Sequence, residues 1–169
     1  MIIIKARSAT GDWSVYHSGL SDSGASYSLK LNTTAAEANQ GGLVATDSTF
    51  TLYDTANVDT NGRTYVAYLF ATTPGVSKVG SVSHSGSSTD VNCGFSNGAR
   101  FVMLKRSNAS GDWYFWDSVR GIVAGNDPYL LLNTTAAPVT NTDFIDPLAS
   151  GFQISGDFTD GTYIFYAIA

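Results

Sequence analysis

The sequence predicts an all-β fold: a two-sheet antiparallel β-sandwich with internal pseudo-twofold duplication. Three observations carry that expectation. Charged residues make up 14% of the chain while Gly, Ser, Thr, Asn and Asp are abundant, a balance that suits strands joined by many turns rather than long helices. Short apolar, β-branched-rich runs recur between turn signals, at the spacing of sandwiches and, less favourably, barrels. The chain also repeats itself.

Lys5, Ala9, Gly11, Asp12, Trp13 and Ser18 return as Lys105, Ala109, Gly111, Asp112, Trp113 and Ser118, one hundred positions later. The register then slips by one, and Leu31-Asn32-Thr33-Thr34-Ala35-Ala36 returns as Leu132-Asn133-Thr134-Thr135-Ala136-Ala137. Near the ends, Gly62, Thr64, Tyr65, Tyr68 and Ala71 match Gly161, Thr162, Tyr163, Tyr166 and Ala169. Ordered matches whose slips fall in turn-rich stretches are the signature of a duplicated β unit. The expected organisation is one domain, 1–169, made of repeats at about 2–71 and 101–169 joined by a β-rich connector, 72–100; two independent units are the alternative.

The elements follow in order. Residues 2–7 form an apolar run that ends in the turn Ser8-Ala9-Thr10-Gly11 and leads to a second run at 13–17, a hairpin. The second repeat opens the same way, with runs at 101–106 and 113–117 around Ser107-Asn108-Ala109-Ser110-Gly111. Further strands are expected at 27–31, 50–53, 64–71, 76–82, 129–132, 152–154 and 162–168, separated by turn signals such as Asp59-Thr60-Asn61-Gly62 and Asn126-Asp127-Pro128. The runs 65–71 and 163–169 are apolar without alternation, so both are expected centrally in a sheet or against another layer.

Nine basic side chains against fourteen acidic ones give a net charge of −5, and the basic ones are scattered, which argues against a nucleic-acid partner. Cys93 is the single cysteine; without a second it forms neither an internal disulfide nor a metal-ligand pair, and it reads as a small buried apolar residue. Ile2-Ile3-Ile4 is too short for a signal peptide and follows no basic region. No run approaches the roughly 18 apolar residues of a membrane helix. Synthesis in a cytoplasm without membrane insertion is therefore expected.

Candidate chemistry is sparse. His17 and His84 sit in unrelated settings without a third partner for a triad or a metal, and read as solvated or singly hydrogen-bonded imidazoles. Ser83-His84-Ser85-Gly86 lacks nucleophile-elbow spacing, and no phosphate-binding glycine pattern occurs. Glu37 is the one glutamate, and the aspartates cluster at turns, where they bond nearby amides, so no carboxylate pair for glycoside hydrolysis stands out. Calcium at 157–160 or 54–59 is a weaker reading, because neither segment has the EF-hand pattern. The expectation is a non-enzyme with no catalytic residues, metal or cofactor.

Aromatic residues supply the remaining candidates. Trp13 and Trp113 are equivalent across the repeats and read as framework. Tyr114 and Trp116 stand where the first repeat has Ser14 and Tyr16, and on an alternating strand both point away from the face of Trp113 and Phe115. If exposed, these two rings are candidate ligand-binding residues that could stack on a sugar or cover a neighbouring subunit; the competing reading packs them under a second sheet.

Gly94-Phe95, Phe101-Val102-Met103-Leu104-Lys105-Arg106-Ser107, Gly111-Asp112-Trp113 and Gly161-Thr162-Tyr163-Ile164 form a series that resembles the repeated β domain of tail-fibre and other virion structural proteins of bacteriophages, especially those of marine bacteria. The first repeat fits through Ile4-Lys5-Ala6-Arg7-Ser8, Gly11-Asp12-Trp13 and Thr64-Tyr65-Val66-Ala67-Tyr68, without the preceding Gly-Phe segment. Where that pattern commonly carries a proline, this chain reads Ser96-Asn97-Gly98-Ala99-Arg100. The resemblance implies a virion location, in a tail fibre or a head or tail decoration protein, either as a whole protein or as part of a longer one. It further implies other virion subunits as partners and favours a trimer for the homo-oligomer that the apolar chain ends suggest: strands reaching Ile2 and Ala169 need cover, and if they lie at sheet edges they either template a contact near the chain ends or pair with each other. It brings no site residues; host surface glycans are the alternative partner.

Overall fold

The computed structural model describes residues 1–46, 48–53 and 58–169. Its elements are antiparallel strands and one short 3-10 segment, Ser21–Gly24. In the first unit, β1 (Ile2–Ala6), β2 (Ser14–Tyr16), β3 (Tyr27–Lys30), β4 (Ala38–Asn39) and β7 (Tyr65–Leu69) form one sheet in the order β4-β3-β2-β1-β7, while β5 (Leu43–Ala45) and β6 (Phe50–Leu52) form a separate hairpin. In the second, β10 (Phe101–Arg106), β11 (Trp113–Asp117), β12 (Leu130–Leu131) and β15 (Gly161–Ile168) join β8 (Ser77–His84) in the order β12-β11-β10-β15-β8. A third sheet, β13-β14-β9, combines β13 (Ile145–Leu148) and β14 (Gly151–Ile154) with β9 (Thr89–Asn92).

The strand order β3-β2-β1-β7 is that of β12-β11-β10-β15, and the registers agree pair by pair. Ile3↔Val15 corresponds to Met103↔Phe115, Ile3↔Tyr68 to Met103↔Tyr166, Val15↔Leu29 to Phe115↔Leu130, and Leu43↔Leu52 to Ile145↔Ile154. The shared motif explains part of this agreement. Asn32 Oδ1 accepts the Trp13 amide at 3.0 Å while its Nδ2 donates to Asp12 at 2.9 Å; Asn133 does the same for Trp113 and Asp112 at 2.8 Å each. The Gly-Asp-Trp turn is thereby pinned to the Leu-Asn-Thr-Thr turn in both units, a local side-chain lock that suits Asp and Asn.

Three apolar clusters stack the sheets. The shared one joins Ile3, Val15, Leu20 and Leu29 to Met103, Trp113 and Ile164, with Trp13 and Phe101 against it. The faces of the two sheets that carry Ile3 and Met103 therefore meet in this cluster. Outside it, Ile4 and Tyr16 pack with Leu43 beneath the β5–β6 hairpin, and Val102, Leu104, Trp116 and Phe165 pack with Val91, Ile145, Phe152 and Ile154 of the third sheet. Polar contacts also bridge the units: Trp113 Nε1 donates to the Lys30 carbonyl at 2.9 Å, and the buried Lys105 Nζ donates to the carbonyls of Arg106 at 2.7 Å and Thr34 at 3.3 Å. Burial holds the Lys105 ammonium down at about 8, because desolvation disfavours the charged form.

The two unbroken apolar runs meet the two forms of the expectation, β15 centrally in a sheet and β7 against another layer, with Tyr65 and Ala67 on the cluster of Ile4, Tyr16 and Leu43. β15 is central and covered on both faces, but β7, despite its equally unbroken apolar sequence, is an edge strand. The difference is β8, a connector strand that pairs with β15 and has no counterpart beside β7 among the described residues. The terminal strands are not sheet edges, since β1 lies between β2 and β7 and β15 between β10 and β8.

Candidate functional site

Tyr114 and Trp116 lie on one face of β11, as alternation requires, but that face is the inner one. Trp116 is 0% exposed and Tyr114 packs against the same cluster. The two rings stack at 5.5 Å, and Tyr129, Phe144 and Phe158 complete an aromatic core with Tyr114 at 5.3, 6.0 and 5.0 Å. The packed reading of the pair therefore holds over the exposed one: the third sheet and the 155–160 turn bury Trp116, and Tyr114 is half-buried among the same rings. Cys93 is buried too, and desolvation pushes its thiol up to about 11.

The repeat shows where open space remains. By register, Tyr114, Trp116, Tyr129 and Phe144 correspond to Ser14, Tyr16, Ser28 and Gly42. The smaller first-unit side chains leave room that the loop 18–26 fills only in part. Gly42 lets that loop close in: a Cβ there would stand 1.5 Å from the Ala25 carbonyl oxygen. Gly42→Ala is accordingly expected to cost about 1–3 kcal/mol through overpacking, read as a lower urea midpoint.

What remains is a cleft between the start of β1, the end of β2 and β5, lined by Ile2, Tyr16, His17, Gly24, Leu43 and Val44. Asp22 and Ser23 stand beside its rim in left-handed conformations, with φ of 53° and 52°. They are held by Ser26 Oγ donating to Asp22 at 2.9 Å and by Ser21 donating its amide and hydroxyl to Glu37. Such conformations cost non-glycine residues roughly 1–2 kcal/mol each, which the Glu37 and Asp22 bonds offset.

The histidines differ from the solvated rings expected. His17, 2% exposed, accepts the Gly19 amide on Nδ1 at 2.9 Å, so its Nε2 carries the proton and donates to the Phe165 carbonyl of the second unit at 3.2 Å. Desolvation holds its pKa down at about 4. His84 is equally buried, with Nδ1 beside Thr89 Oγ1 at 2.9 Å and Nε2 on the Phe158 carbonyl at 3.2 Å. Both rings have their nitrogens committed to the framework, which leaves neither free to shuttle a proton. No signal in the sequence separated these buried rings from exposed ones.

Among the described residues no group of three or more His, Cys, Asp and Glu is placed to hold a metal; of the segment weighed for calcium at 54–59, residues 54–57 lie outside the described residues. No described helix is long and apolar enough to cross a membrane. The cleft can accept an apolar side chain or a small apolar ligand; the His17 imidazole beside it is hydrogen-bonded at both nitrogens.

No curated protein and no solved structure matches the chain. A family model matches residues 1–169, and the chain belongs to that family, described as a domain of unknown function (DUF7483).

Proposed function

We propose that this chain is a structural module of a bacteriophage virion, of a tail fibre or a head or tail decoration protein, working in assembly and display. The observation that carries the reading is the use made of the motif on which the phage resemblance rests. Gly-Asp-Trp, in both units, is committed to the turn lock through Asn32 and Asn133, a framework role that matches a family resemblance in architecture rather than in chemistry. The buried, doubly bonded histidines fit the same reading. A glycan-binding role no longer has Tyr114 and Trp116 to stand on.

Mass spectrometry of density-purified particles of a phage that encodes the chain tests the proposal. The expected result is the protein at a fixed, stoichiometric copy number that survives high-salt washing. Its absence from particles, with abundance in the infected cell, would overturn the reading.

A further inference from the structure

The closing strands of the two units have the same register on their inner neighbours but different outer edges. On β15, the outer edge is filled by β8, with Val82 opposite Tyr163, Gly80 opposite Phe165 and Lys78 opposite Ala167. The equivalent positions on β7 are Tyr65, Ala67 and Leu69, and among the described residues no strand lies beyond them.

The hydrogen-bond phase of β7 follows from its ends. Phe70 N donates to the Met1 carbonyl at 2.9 Å and Met1 N to the Phe70 carbonyl at 2.9 Å, while Arg7 N donates to the Thr64 carbonyl at 2.8 Å. In an antiparallel ladder these bonded pairs alternate, so Thr64, Val66, Tyr68 and Phe70 face β1. Tyr65, Ala67 and Leu69 turn their backbone N–H and C=O outward, and none of these groups has a backbone partner among the described residues. Leu69 is 62% exposed and Tyr68 47%. No charged residue occurs from 64 to 77 and β7 has no proline, so the devices that normally block edge pairing are missing.

We propose that β7 pairs antiparallel with β7 of a second copy of this chain, about a twofold axis through Ala67. In that register Ala67 faces Ala67 of the second copy, Tyr65 faces Leu69, and Val66 faces Tyr68. Each outward residue then exchanges both of its backbone bonds, and the exposed Leu69 and Tyr68 gain cover. Charge favours this occupant: the protein carries −5, yet the approaching strands are neutral and meet without like-charge opposition. Side-chain size favours it over another strand of the β8 type. Gly80 is needed opposite Phe165, whose ring would meet a Cβ at 2.5 Å, whereas Ala67 is small enough to face a side chain. The pairing continues the first unit's sheet into the second copy and is independent of the virion reading. An edge of five residues buries less than the roughly 1,200 Å² of standard interfaces, so the dimer is concentration-dependent.

Sedimentation equilibrium of the full chain, from low micromolar to submillimolar, tests this. A reversible monomer–dimer equilibrium is expected. Leu69→Lys adds a charge at an exposed position, and Ala67→Pro removes an outward N–H without touching the bonds to β1. Each is expected to raise the dimer dissociation constant at least about tenfold, or about 1.4 kcal/mol, with the thermal midpoint unchanged. Val119→Lys, at an exposed apolar side chain far along the second unit, should leave the dimer intact. If Ala67→Pro fails to fold, Leu69→Lys decides alone. A monomer throughout, a trimer, or a dimer unmoved by Leu69→Lys would overturn the proposal. So would a monomer that binds a synthetic peptide of residues 76–84, which would assign the edge to a strand donated by another segment.

Discussion

Trp116→Ala should destabilise the protein by about 3–5 kcal/mol, the range for removing a fully buried Trp or Phe, and urea unfolding at neutral pH measures it. The ring stands 5.5 Å from Tyr114, 5.7 Å from Tyr129 and 6.3 Å from Phe158, so its loss opens a cavity among side chains fixed by the third sheet and cannot be closed by small shifts. Trp116→Phe provides the contrast. The indole Nε1 is buried without a partner among the described residues, and an unpaired buried donor costs roughly 1–3 kcal/mol. Replacing indole with phenyl loses volume but removes that donor, so the cost should fall to about 1.5 kcal/mol or less. A surface ring would behave differently, since exposed substitutions usually stay within about half a kcal/mol. An unchanged midpoint for Trp116→Ala would therefore restore the exposed stacking pair.

Strands whose apolar runs are long enough to reach the core were legible in the sequence. β10, β11 and β15 fall within a residue of their expected bounds, and the ordered repeat anticipated a strand order shared between the units. The strands that escaped notice, β4, β5, β9 and β13, all lie at sheet edges. There one side of the backbone meets no partner, so polar residues and even Pro147 within β13 are tolerated, and the hydrophobic signal fades. The contrast between β7 and β15 was illegible for a different reason. Both runs read alike, and what separates them is β8, which lies outside the repeat. Tyr114 and Trp116 teach the same limit: alternation correctly put them on one face, but which layer covers that face depends on β9, β13 and β14, two of which gave no strand signal. His17 and His84 are buried because their rings bond to carbonyls from sequence-distant strands or turns, Phe165 and Phe158, which no local pattern reports.

Acid should loosen the contact between the two units through His17. Its ring titrates near 6.5 when unfolded and at about 4 in the fold, chiefly because burial disfavours the imidazolium. Between those values the unfolded chain binds the proton that the folded chain refuses. Stability is therefore intact above pH 6.5 and falls as pH drops toward 4, by up to ~3 kcal/mol if the full shift is expressed. The geometry gives the reason for the refusal: protonated Nδ1 can no longer accept the Gly19 amide, and a donor would face a donor 2.9 Å away. Asp127 acts in the opposite sense. Desolvation raises its carboxyl to about 6, so the fold takes up a proton before the unfolded chain does, and stability rises as pH falls from about 6 toward the ordinary carboxylate range. Wild type alone would report the sum of the two. His17→Asn removes only the first, and the difference in unfolding free energy between the two proteins isolates it. That difference should be constant above pH 6.5 and should shrink or reverse by up to ~3 kcal/mol on approach to pH 4. A difference that stays flat across this range would show that His17 titrates alike in both states, and burial and the Gly19 amide would then not hold the imidazole neutral.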